Sequence, residues 1–148
     1  MYRIFLATSF SGQVNNETGG VTPNYRQKVE AVINALRTIS NFTIFCAVEH
    51  ENWVIASDKP PETGVGKDLA EIDESDIVLA LLPTGILSAG LQYEVGYADA
   101  MGKQVFLATE PGSKLNYFNQ GATNLGRVTH IEYASPEDLV AAIRPYIT

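Results

Sequence analysis

The run Ile77-Val-Leu-Ala-Leu-Leu82 most restricts what this chain can fold into. A strand that is apolar at every position has no face to offer water. It therefore belongs in a sheet covered on both sides, which is the habit of parallel strands. Tyr2–Thr8, Phe42–Val48, Gln104–Ala108 and Thr129–Tyr133 read as further strands. Between them, Tyr25, Val29, Val32, Ile33, Leu36 and Ile39 fall on one helical stripe, with Pro23 suited to its first turn. Asp68–Asp73 reads as part of a short helix, and Gly90–Met101 as a longer one ended by Gly102-Lys103. Ser135 caps a last helix, with Pro136 and Asp138 in its first turn. Glu49–Thr63, with Trp53 and Pro60-Pro61, reads as loop, and Thr109–Gly126 as a second long polar segment. The expected fold is α/β: a Rossmann- or flavodoxin-like, open, mostly parallel five-stranded sheet with helices on both faces.

Length and charge narrow the function. The 148 residues suffice for one domain, expected to span 1–148, and are few for two. Apolar residues make up 45% and charged residues 18%, an ordinary globular profile. A net charge of −7 argues against polymeric nucleic acid as a partner. It leaves room for a small anion held by backbone amides. The first residues lack the pattern of a signal peptide, and no apolar run approaches a membrane span, so a cytoplasmic address is expected. Cys46, the lone cysteine, sits in an apolar run and is expected to be a buried small hydrophobe.

In open parallel sheets, ligands bind outside the carboxyl ends of the strands. That places a site among Ser9–Thr22, Glu49–Lys67, Pro83–Ala89 and Thr109–Gly126. Directly after the apolar strand comes Ser88-Ala-Gly-Leu-Gln-Tyr-Glu94-Val-Gly-Tyr-Ala98. Gly90 would allow a tight strand-to-helix turn, and Gly96 a close backbone approach. Glu94, in the first turns of the helix, would be held ionised by the amide dipoles. His50 and His130 have no ligand spacing and read as surface or packing residues; neither a metal nor a cofactor is expected.

The Glu94-Val-Gly-Tyr-Ala98 run resembles the signature of the nucleoside 2-deoxyribosyltransferase family, in which that glutamate is the nucleophile. Lys67-Asp68-Leu-Ala-Glu-Ile-Asp-Glu-Ser-Asp76 resembles the family's Asp-(x)7-Asp element, whose first aspartate assists the leaving base. Ile4-Phe5-Leu6-Ala7 resembles the family's first strand. Leu115-Asn116-Tyr117-Phe118 resembles an Asn-Leu-Met segment whose asparagine reaches a neighbouring subunit's site. The resemblance implies cleavage of the N-glycosidic bond of (deoxy)nucleosides through a covalent sugar–Glu94 intermediate, assisted by Asp68, with the deoxyribosyl group passed to another base. Its partners would be a nucleoside or nucleotide and a free nucleobase, and its assembly a homodimer or higher homo-oligomer. The chemistry suits two carboxyl groups, one attacking and one protonating.

Two departures from the pattern bear on the branch. Ser88 stands where the transferases usually carry an aspartate. In this it resembles the related nucleoside 5′-monophosphate N-glycosidases, where a hydroxyl meets phosphate that an aspartate would repel. The loop Ser9-Phe10-Ser11-Gly12 offers hydroxyls and amides for the same anion, and Arg26 is a possible clamp. Phe5 replaces a tyrosine whose hydroxyl helps position the nucleophile in many members, which leaves a non-catalytic nucleotide-binding module as an alternative. Tyr93 or Tyr97 could supply that hydroxyl. Trp53, Phe10 and Phe118 are candidates for stacking on the base.

Overall fold

The computed structural model describes residues 1–9, 13–15, 17–54, 59–82 and 88–147. Strands β1 (Tyr2–Thr8), β2 (Phe42–Cys46), β3 (Ile77–Leu82), β4 (Gln104–Thr109) and β5 (Thr129–Glu132) form one sheet in the order β2-β1-β3-β4-β5. Every pairing is parallel, with Phe5 opposite Val78 and Ala80 opposite Leu107. The central strand β3 is buried at each position, as its unbroken apolar sequence requires.

Side chains alternate across a strand, so β1 feeds two cores. Ile4 and Leu6 join one cluster with Val29, Ile33 and Leu36 of helix α1 (Pro23–Arg37) and Leu139 and Ile143 of helix α6 (Pro136–Ile143). Phe5 and Ala7 join the other, with Ile72 of helix α3 (Pro61–Asp73) and Leu91, Val95 and Ala98 of helix α4 (Ala89–Ala100). The expected cap is present: Ser135 Oγ accepts from Asp138 N–H at 3.2 Å. Cys46 is 2% exposed, and burial pushes its thiol up to about 11, so it packs as an apolar group.

Three segments differ from the expectation. Strand β2 ends at Cys46, and Ala47–His50 forms a single helical turn, α2. Helix α3 begins at Pro61, well before Asp68, because proline is well placed in a first helical turn, where its missing N–H is not needed. The polar segment after β4 contains helix α5 (Tyr117–Asn124), capped by Asn116 Oδ1 accepting from Asn119 N–H at 2.8 Å.

The end of α3 is tied down from several directions. Tyr97 of α4 donates its hydroxyl to Asp73 at 2.7 Å, and Lys103 Nζ donates to the Asp73 carbonyl at 2.6 Å. Arg3 of β1 pairs with Glu71. Asp76 Oδ2 accepts from Arg3 N–H at 2.8 Å, and Asp76 N–H donates back to the Arg3 carbonyl at 2.9 Å. These contacts fix α3 against α4 before any functional group is considered.

Candidate active site

Helices α3 and α4 lie on the same face of the sheet, and each presents one carboxyl group to the other. Residues four apart share a helical face, so Asp68 sits above Ile72, which is fully buried in the core. Glu94 lies between Leu91 and Ala98 on the inward side of α4. The two half-buried carboxyls meet and share a hydrogen bond.

Their environment sets their protonation. Burial, then the Asp68 charge, then the hydrogen bond to Asp68 push Glu94 up to about 8. Burial also raises Asp68, partly offset by the ammonium of neighbouring Lys67. The expectation of an ionised Glu94 is therefore corrected. Six residues into α4, it is beyond the first turn, where the dipole effect is concentrated, and the adjoining carboxyl governs it. Two carboxyls in contact cannot both ionise cheaply, so the pair holds one proton near neutrality.

A cleft of about 260 Å³ opens on this pair, lined by Val65, Asp68, Leu69, Gly90, Tyr93 and Glu94. A larger cavity of about 740 Å³ adjoins it, sharing Val65 and Asp68, and extends past Phe45, His50 and Lys67. A small-molecule pocket typically occupies about 300–1,000 Å³, a range the joined space reaches. His50 and Lys67 were not singled out as site residues in the sequence. His50 belongs to a helical turn that reads as loop, and only the tertiary structure brings it to Lys67.

The other candidates fall in several places. Ser88 caps α4, its Oγ accepting from Leu91 N–H at 3.2 Å. Gly90 lines the cleft but adopts no special backbone conformation, and a Cβ there would meet nothing within 4 Å. Gly96 likewise has no close neighbour among the described residues, and none of them makes the expected backbone approach. Phe5, at the position of the family's tyrosine, is a core residue and no substrate contact: it is 1% exposed and stacks on Phe45 at 5.9 Å. Trp53, 7% exposed, packs in the opposite core beneath Arg26, 5.0 Å from its ring, and does not line the carboxylate cleft. Arg26 is further engaged by Glu30 at 2.8 Å and is no clamp for this cleft.

Ser9 is buried at the end of β1, with no partner for its hydroxyl among the described residues. Phe10, Ser11 and Gly12 lie outside the described residues. Tyr97 is committed to Asp73, which leaves Tyr93 as the tyrosine beside Glu94. Asn116, the cap of α5, and Phe118 are exposed and do not line this chain's cleft. His130 contacts Thr109 Oγ1 at 2.8 Å, a packing role. Among the described residues, no group of three or more His, Cys, Asp or Glu side chains is arranged to hold a metal, and no helix is long and apolar enough to cross a membrane.

The parallel sheet thus carries a half-buried carboxyl pair beside a ligand-sized cavity. The family model described as nucleoside 2-deoxyribosyltransferase matches residues 19–129, and the chain belongs to that family. Solved structures agree on the fold. The chain is 21% identical to the CMP N-glycosidase BcmB of Clostridium botulinum, with a TM-score of 0.66 over 98% of this chain and 99% of that one. It is 21% identical to the 2-deoxyribosyltransferase of Bacillus psychrosaccharolyticus, with a TM-score of 0.63 over 93% and 89%. To a conserved protein from Enterococcus faecalis V583 it is 19% identical, with a TM-score of 0.65 over 99% of both. No curated protein sequence matches significantly.

Proposed function

We propose that this protein cleaves the N-glycosidic bond of (deoxy)nucleosides, with Glu94 as nucleophile and Asp68 as proton donor, and passes the deoxyribosyl group to another base. The hydrogen-bonded Asp68–Glu94 pair at the cleft carries this reading. Glu94 attacks C1′ while the C1′–N bond electrons depart with the base, and Asp68 gives the base nitrogen a proton. A second base then attacks C1′, releasing Glu94, and its proton returns to Asp68. The reaction needs the shared proton on Asp68 and off Glu94, and transfer along their hydrogen bond supplies that state.

Ser88 favours a second reading, hydrolysis of nucleoside 5′-monophosphates, in which water replaces the second base. The serine sits at the start of α4, where the helix amides favour an anion. Ser88→Asp separates the readings cleanly, because aspartate is as good a helix cap as serine and preserves the fold. Under hydrolysis, kcat/KM for a 5′-monophosphate should fall about 10- to 100-fold more than for its nucleoside, through like-charge repulsion. Equal effects on both would remove phosphate from the site.

The direct assay incubates the protein with nucleosides and their 5′-monophosphates, with and without a second free base. A new nucleoside formed only with added base establishes transfer. Free base released only from monophosphates establishes hydrolysis. No product from any of them would leave a nucleotide-binding module. Asn116 entering a neighbour's site belongs to the same proposal, supported by its exposure beside Tyr117 and Phe118, which are 85% and 77% exposed. A homo-oligomer in sedimentation is the expected result, and a monomer that turns over would exclude it.

A further inference from the structure

The larger cavity has a chemistry of its own. Lys67 Nζ is in hydrogen-bond contact with His50 Nε2, and both flank the ring of Phe45. The ammonium lies 5.9 Å from the Phe45 centroid, and the His50 ring lies 5.6 Å from it. Phe45 is half-buried and backed by Phe5, so it forms a fixed, flat apolar wall. A lysine ammonium carries three donors and no acceptor, and contact with His50 uses one of them. The imidazole of His50 has a second ring nitrogen, Nδ1, beyond the one in contact with Lys67. Lys67 therefore keeps ammonium donors for a ligand, with the His50 ring beside them. The neighbouring carboxylates are committed elsewhere, Glu51 to Lys59 at 3.6 Å and Asp68 to Glu94.

We propose that Lys67 and His50, against the Phe45 wall, form the nucleobase subsite and select bases carrying an oxo group at that edge over bases carrying an amino group. The inference rests on the N-glycosidic reading for its orientation. With C1′ at Glu94 and the departing nitrogen at Asp68, the base extends past Asp68 into the cavity that Asp68 shares with the cleft. There an oxo oxygen meets the Lys67 ammonium donor, while an amino group in the same position meets that ammonium donor to donor and is left unpaired at that edge. The same ammonium stabilises the negative charge that an oxo base gathers as it leaves.

The test uses two readouts on the wild-type protein, Lys67→Met and Lys67→Arg. Calorimetry measures binding of the free bases hypoxanthine and adenine, which differ at one exocyclic group, and likewise of uracil and cytosine. Turnover of the corresponding nucleosides gives kcat/KM. Wild type should prefer each oxo base at least about 10-fold. Lys67→Met should lower oxo-base affinity by about 10- to 100-fold, the loss of one charge-assisted hydrogen bond, and change amino-base affinity by less than about 3-fold. Lys67→Arg keeps a cationic donor and should keep the preference. Equal binding of both members of a pair, equal loss in Lys67→Met, or no base binding overturns the subsite. If no nucleoside is cleaved but the Lys67-dependent preference remains, the subsite stands and the catalytic reading fails. Cleavage without preference gives the reverse.

Discussion

Glu94→Gln is expected to lower turnover on the order of 10⁴-fold while the protein stays folded, since the change removes the attacking oxygen and almost no volume. A second effect runs the opposite way. The fold holds Glu94 up at about 8 against an ordinary value of 4.5, so between those values the folded chain keeps a proton that the unfolded chain has lost. Unfolding then releases that proton, and stability falls as pH rises from about 4.5 towards 8. Glutamine cannot ionise, so the variant loses this slope. At pH 8 it should be more stable than the parent, by several degrees in Tm, with little difference at pH 4.5. Thermal melts of both proteins across this range check the point. Parallel curves would mean that Glu94 does not carry the raised pKa, and a fully active variant would remove it as nucleophile.

Asp68→Asn should cost about 10²–10⁴-fold in kcat/KM on ordinary nucleosides, the usual worth of a positioned proton donor. The loss should depend on the leaving base. A nucleoside quaternised on its purine ring departs as a neutral base and needs no proton, so the variant should cleave it within about 10-fold of wild type. A uniform loss on both substrates would assign Asp68 to positioning instead of protonation. Burial is the larger cause of the raised Glu94, and the substitution removes the second, the Asp68 charge. The acid limb of the kcat/KM profile should therefore move to lower pH, a shift that a purely structural aspartate would not produce.

What the sequence reveals follows from the range of each signal. The strand Ile77–Leu82 and the Ser135 cap are local, and both stand where the pattern puts them. The two carboxyl residues are also legible from the motifs around them. Their charge state is not, because it arises from a contact between residues 26 positions apart, Asp68 and Glu94. The helices at Ala47–His50 and Tyr117–Asn124 escape notice for a related reason. Both are short, and the first has too few residues for an apolar stripe to repeat. Pro60-Pro61 and the glycines at 64 and 66 hide the first turns of α3 behind loop-like composition. Phe5 and Trp53 illustrate a further limit. An aromatic residue serves a core or a cleft equally well, and only the packed sheet decides which side it faces.

Lys67 and Asp68 are consecutive on one rigid helix, yet each looks towards a different chemical task. Successive residues of an α-helix are turned by about 100°. A single residue inserted or deleted between Pro61 and Lys67 would rotate one part of α3 against the other, and could not adjust one of these side chains while sparing its neighbour.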